Sequence, residues 1–220
     1  MYTKSNNNIR TFLYLPIIGI ISFIGLYIYS ATLYPGGSQA DTNSTGFSWV
    51  NNYWCNLMNE TAINGESNLA KPFAISATII LSISLIIFFY NFTETFSLSR
   101  IWKWTIKVSG SLSMIFAIFI FTEYHNQVTT ISSILGLIAV IGIMKGIYHS
   151  QKLFFKITGV CCIFLLILNN FIYYSEIYLE ALPLIQKITL TLVLVWIGAL
   201  NYEMIKMNQD LLQIKAERHN

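Results

Sequence analysis

Six apolar runs, each long enough to cross a bilayer, constrain this chain more than any other feature. A hydrocarbon core roughly 30 Å thick requires about 20 apolar residues in helical form. Such runs fall at about 11–32, 72–92, 104–122, 129–148, 154–174 and 183–202. Only 10% of the 220 residues are charged and 55% are hydrophobic, whereas a water-soluble domain carries roughly a quarter charged. The expected fold is therefore all-α: an integral membrane bundle of six transmembrane helices with a long outer first loop, forming a single transmembrane domain over residues 1–220. Pro72 and Pro183 stand at the start of a run, where the missing proline N–H leaves no bond unmade. Pro16 lies inside the first run, where proline can bend a helix. That first run follows Lys4 and Arg10 as a signal peptide would, but its apolar length of about 20 residues fits a retained anchor.

Charge distribution orients the spans. Lys4 and Arg10, then Arg100, Lys103 and Lys107, then Lys145, Lys152 and Lys156, then Lys206, Lys215 and Arg218 occupy alternate connections and both ends. The remaining connections carry Asp41, Glu60, Glu66, Glu123, Glu176 and Glu180, with Lys71 and Lys187 as their cations. Positively charged loops stay cytoplasmic, so the expectation is a multi-pass protein of the cell (bacterial inner) membrane with both termini in the cytoplasm. The loop at about 33–71 is then outside and the tail 203–220 inside. Ile205, Leu211, Leu212 and Ile214 give that tail a ragged apolar face, read as a solvated continuation of the sixth helix. Asn91, in one of three Asn-x-Ser/Thr matches, would be cytoplasmic, and the matches at Asn43 and Asn59 carry little weight.

Several chemistries find no support in the sequence. No basic stripe points to nucleic acid. The three cysteines show no metal-binding spacing: Cys161 and Cys162 read as packing residues, and Cys55 as a free or intermolecular thiol, packing against aromatic side chains being favoured. The three histidines cannot share a zinc ion, because His125 lies at the outer end of a span while His149 and His219 are inside. No nucleophile motif, phosphate loop or paired carboxylates occur, and no metal or cofactor is expected. The serines and threonines within the spans, with Asn169 and Asn170, read as helix-packing residues, and central charges of an ion relay are missing. Lys187, a turn inside the outer edge, is expected to pair with Glu176 or Glu180.

Three polar features converge on the outer face: the turn Tyr34-Pro-Gly-Gly, the aromatic and amide-rich segment FSWVNNYWCNLMNE at 47–60, and the link Thr122–Asn126. In the second, Val50, Trp54, Leu57 and Met58 share a face at helical spacing, with Asn51, Asn52, Cys55, Asn56 and Asn59 largely elsewhere and Ser48 at the N-cap position. The expectation is a short amphipathic helix lying on the membrane edge or capping the bundle. The candidate binding residues are Tyr34, Asn52, Trp54, Cys55, Glu123, His125 and Asn126.

The YPGG after the first span, NYWCNL at 52–57, the approach Asn68–Pro72 and the acidic-histidine turn EYHN resemble the uncharacterised bacterial membrane proteins grouped as domain of unknown function 998. A more distant similarity runs to the Frag1/DRAM/Sfk1 membrane proteins. Where some relatives show Asn-Pro before the second span, this chain has NLAKP. The resemblance implies a six-span bundle and a membrane location, and no established reaction. The functional expectation is a non-enzymatic membrane protein that binds membrane lipids or a protein partner, a second copy included, at the outer leaflet. The alternatives are a small-solute or ion transporter and a membrane-embedded hydrolase using Glu123 and His125.

Overall fold

A computed structural model describes residues 3–148 and 152–217. Six helices follow one another: α1 Thr3–Thr32, α2 Lys71–Thr95, α3 Arg100–Ile118, α4 His125–Ile147, α5 Leu153–Ser175 and α6 Leu182–Glu217. Short 3-10 helices occupy Trp54–Met58, Phe119–Phe121 and Leu179–Ala181. Among the described residues there is no strand, only two isolated bridges, Gly36 with Thr45 and Thr61 with Ser67. Each of the six long helices is long and apolar enough to cross a membrane, and a helix is the open-ended form in which a chain in lipid satisfies all its backbone groups. The protein is a multi-pass helical membrane protein.

Helix boundaries follow local chemistry. Pro72 occupies the first turn of α2. The α3 helix begins at Arg100, earlier than the apolar run, because Ser99 accepts the N–H of Trp102 at 3.5 Å as an N-cap. Its last turn tightens into the 3-10 helix Phe119–Phe121. The α4 helix starts at His125 rather than 129, so the last two residues of the polar link Thr122–Asn126 belong to its first turn. The expected tail is helical as far as Glu217; Arg218 and His219 lie outside the described residues, as does His149.

Each helix packs on its neighbours in sequence, and α6 closes the ring onto α1 and touches α2. Phe88, Phe92, Ile106, Ile143, Trp196 and Leu200 are fully buried within it. Small residues let backbones approach, as in other membrane bundles. A Cβ on Gly19 would fall 1.7 Å from the Ser84 Oγ, and one on Gly159 would fall 2.2 Å from the Met144 sulfur. Three in-span polar groups bond across helix pairs: Ser113 to the Ser132 carbonyl at 2.8 Å, Ser133 to Asn170 at 3.0 Å, and Asn169 to Thr189 at 2.5 Å. Longer ties join the ends: the Asn201 amide donates to the Leu13 carbonyl at 2.8 Å and the Trp196 indole to the Phe155 carbonyl at 3.0 Å. On α5, Phe154, Ile157, Val160, Phe164, Ile167 and Phe171 are exposed at spacings of three and four, an apolar stripe suited to lipid.

The two ends of the bundle differ. The connection 33–70 folds over the end where α1 stops and α2 starts, with the 3-10 helix Phe119–Phe121 beside it. Arg100, Lys103, Lys145, Lys152, Lys156 and Lys206 belong to the opposite end.

Candidate functional site

The connection 33–70 is a compact cap built almost without regular structure. Its first strut is Tyr34, 3% exposed, whose hydroxyl accepts the N–H of Ile63 at 3.0 Å. The Pro-Gly-Gly that follows is pinned on both sides: Gly46 N–H donates to the Pro35 carbonyl at 3.0 Å, Gly37 N–H to Ser44 at 2.7 Å, and Asn64 N–H to Gly36 at 3.3 Å. Gly37 has φ +81, and a Cβ there would stand 2.5 Å from the Asn64 nitrogen. Glycine is required at that position both by the left-handed backbone and by the close approach. The cap is tied down where it meets the membrane helices by the Ser30 hydroxyl at the end of α1, which donates to the Ala70 carbonyl at 2.9 Å.

Three buried asparagines hold the middle of the cap. Asn52, fully buried, donates to the Gly37 carbonyl at 2.8 Å and accepts the Ser48 N–H at 2.8 Å. Asn56 accepts the Tyr53 N–H at 2.6 Å and is in reach of the Asn52 amide at 3.4 Å. Asn68 donates to three carbonyls, those of Asn56 at 3.2 Å, Leu57 at 3.2 Å and Asn59 at 2.9 Å, and accepts the Ala70 N–H at 3.1 Å. Irregular backbone removed from water must find partners, and here the asparagine amides supply them.

The same amides explain why the amphipathic helix expected at 48–59 does not form. Helix is confined to the 3-10 stretch Trp54–Met58, and Tyr53 is extended at φ −71, ψ 155. Asn52 and Asn56 bond backbone N–H groups a few residues upstream and so compete with helical bonding. Ser48 does act as a cap, accepting the Asn51 N–H at 3.1 Å, but of a single turn. The expected apolar face is divided: Val50 is 53% exposed, while Leu57 and Met58 are buried. Asn52 and Asn56, expected away from the packed face, are in the core of the cap.

Trp54 faces the bundle. Its ring meets Tyr27 edge-on at 4.6 Å and Phe23 at 6.2 Å, and continues outward to Trp49 at 6.1 Å, which in turn meets Phe47 at 5.2 Å. Its backbone N–H donates to Gln186 of α6 at 3.3 Å, while its buried indole N–H has no acceptor. Beneath the cap lies Lys187, 7% exposed. The expected pairing of Lys187 with Glu176 or Glu180 is corrected: both glutamates are exposed on the α5–α6 connection, and the Lys187 ammonium instead donates to the Asn52 carbonyl and, at 3.1 Å, to the Pro183 carbonyl. It also sits 5.6 Å from the centre of the Phe47 ring. Cys55 is a free thiol. Burial pushes its pKa up from 9.0 to about 11, against a smaller opposing pull from the positive charge of Lys187.

The candidate residues thus divide into two groups. Tyr34, Asn52, Trp54 and Cys55 belong to one cap. Glu123, His125 and Asn126 lie on the α3–α4 turn, where Glu123 and Asn126 are exposed. His125 Nδ1 is 3.2 Å from the side-chain oxygen of its neighbour Asn126, and Glu123 makes no hydrogen bond or ion pair among the described residues. Nor do three or more His, Cys, Asp or Glu residues converge among the described residues. Asn56, Asn68, Gln186 and Lys187 complete the cap and were not among the candidates. The density of asparagine between 51 and 68 was the available signal for the first two, whereas nothing in the spacing ties α6 to the cap. No protein-family model matches the chain, nor does any curated protein or solved structure.

Proposed function

We propose that this is a non-enzymatic protein of the cell membrane, with both termini cytoplasmic, which holds a lipid or protein partner at the outer leaflet through the face of its cap. The observation that carries the reading is the aromatic series from Phe23 and Tyr27 through Trp54 to Trp49. It runs from the bundle interior to a surface where Trp49 and Val50 are 46% and 53% exposed. An indole beside an aliphatic residue at the end of a membrane bundle suits the headgroup level, and the self-satisfied asparagine network gives that surface a rigid base. The proposed orientation draws on the lysines and arginines at the end opposite the cap. The resemblance to the proteins grouped as domain of unknown function 998 belongs to the same proposal, since YPGG, NYWCNL and the approach to Pro72 are the pieces that build the cap.

Native mass spectrometry of protein extracted in mild detergent, together with partner recovery, tests the reading. The pair Trp49→Ser and Val50→Ser is expected to lose retained lipid or partner without a change in Tm. Equal retention by wild type and variant overturns it. A reporter fused after Asn220 that is active only outside overturns the orientation. The transporter alternative has less support, because Ser113, Ser133 and Asn169 are engaged in bonds across helix pairs and others, such as Thr78 and Ser109, bond carbonyls of their own helix. The hydrolase alternative has less still, because Glu123 has no partner among the described residues that would position it as a base.

A further inference from the structure

The second turn of α6 carries a cation under the cap with no anion to meet it. Among the described side chains Lys187 is the one charged group that is buried, and none of the ion pairs among the described residues includes it. The carboxylates at this end of the bundle, on Asp41, Glu60, Glu66, Glu123, Glu176 and Glu180, all belong to exposed residues. The Lys187 ammonium donates to the carbonyls of Asn52 and Pro183, and the Phe47 ring lies over it. An ammonium has three N–H donors, so one remains beyond those two bonds. Carbonyl dipoles and a ring face stabilise a charge without cancelling it, whereas buried charges are ordinarily paired. A second unmet donor belongs to the same cap: the Trp54 indole N–H is buried and has no acceptor. The two residues are held through each other's neighbours, since the Trp54 backbone N–H bonds Gln186 while Lys187 bonds Asn52. The way in from outside is aromatic. Trp49, at the surface, meets both Phe47 and Trp54.

Two buried donors, one of them cationic, behind an aromatic entrance have the chemistry that receives an anionic head on an apolar tail. We infer that the ligand of the cap is such an amphiphile, its anionic oxygen group held by the Lys187 ammonium with the Trp54 indole as second donor, and its tail along Phe47, Trp49 and Val50. An ammonium buried this far favours a terminal head, a carboxylate or a phosphate monoester, over a phosphodiester flanked by groups on both sides. The inference rests on the cap reading and narrows it to one head chemistry and one cation.

The full chain in non-ionic detergent is equilibrated with an equimolar mixture of oleoyl lysophosphatidic acid and oleoyl lysophosphatidylcholine, which share a tail, and retained lipid is read by native mass spectrometry. Wild type is expected to keep the acid in preference to the choline lipid. Lys187→Gln, which keeps a donor toward the Asn52 carbonyl, should lower the retained acid roughly ten-fold and leave the choline lipid unchanged. Trp54→Phe, which keeps a ring and removes the indole N–H, should lower it roughly three-fold. Matching Tm values separate these effects from misfolding. Wild type supplies a readout that needs no variant: maleimide labelling of Cys55, next to Trp54, should slow several-fold with the acid present and not with the choline lipid. A parallel arm with oleate separates a carboxylate from a phosphate source. Equal retention of the two lipids by wild type, or Cys55 labelling indifferent to the acid, overturns the inference. Loss of the acid from the Trp49→Ser, Val50→Ser pair with full retention by Lys187→Gln overturns it and leaves the cap reading standing, whereas equal retention by every variant overturns both. Displacement of the acid by inorganic phosphate alone overturns it in favour of a small-anion site.

Discussion

The cap at 33–70 and the turn Thr122–Asn126 stand at the same end of the bundle and are both rich in amide and charged side chains, yet they do opposite things. In the cap, Asn52, Asn56 and Asn68 are buried and each bonds backbone groups. In the turn, Glu123 and Asn126 are exposed, and the His125 ring hydrogen-bonds, among the described residues, only its neighbour's amide. Polarity in a connection therefore does not by itself mark a site. A 38-residue excursion off a membrane bundle (33–70) carries many backbone groups away from helical bonding, and something must satisfy them. A turn of a few residues before α4 leaves its few open groups to water.

The contrast can be broken most directly at Asn68. Asn68→Ala strips partners from three carbonyls and one N–H together, and a loss of about 3 kcal/mol is expected, since each buried group left unbonded costs about 1–3 kcal/mol. Thermal unfolding in detergent, with protease cleavage inside 33–70 as a second readout, measures it; a loss below about 0.5 kcal/mol would mean that the network carries no weight.

Cys55 probes how well the cap is closed. The thiolate is the reactive form, and a pKa raised from 9.0 to about 11 leaves about a hundred-fold less of it near neutral pH than an ordinary thiol has. Maleimide labelling of the folded protein should be slower than labelling of the same chain in denaturing detergent by at least that factor. It should accelerate roughly ten-fold per pH unit as pH approaches 11. Fast labelling at pH 7 would show the cap to be open.

At Gly37 the expected loss is smaller, about 2 kcal/mol for Gly37→Ala, from the positive φ and the crowding against Asn64. The turn supplies the low end of the series. Glu123→Gln and His125→Ala should each change stability by no more than about 0.5 kcal/mol, as surface substitutions do. A His125→Ala loss approaching that of Asn68→Ala would erase the distinction between the two regions.

Different physical ranges explain which features could be read in advance. Six spans follow from run length, because a hydrocarbon core imposes the same minimum on every crossing helix regardless of its neighbours. Pro72 and the in-span small residues likewise act within a turn or across one helix contact, and their roles follow from residue type. Tyr34, Asn52, Trp54 and Cys55 could be grouped because they lie close along one connection. The helix expected at 48–59 fails because periodicity records which residues are apolar but not which amides will capture the backbone first. Likewise Lys187 goes to the Asn52 carbonyl, 135 residues away in sequence, rather than to the nearby Glu180. What the sequence alone determined is the medium, the number of crossings and the end at which polar residues gather, all properties summed along local runs. Tertiary structure alone decided that the asparagines grip the cap itself, that no hydrogen bond among the described residues ties the Glu123 or His125 side chain to it, and that an apolar recess with the Lys152–Glu203 pair at its edge opens at the far end. Those outcomes depend on which distant groups meet, and a buried donor or cation takes whichever acceptor packing brings within about 3 Å.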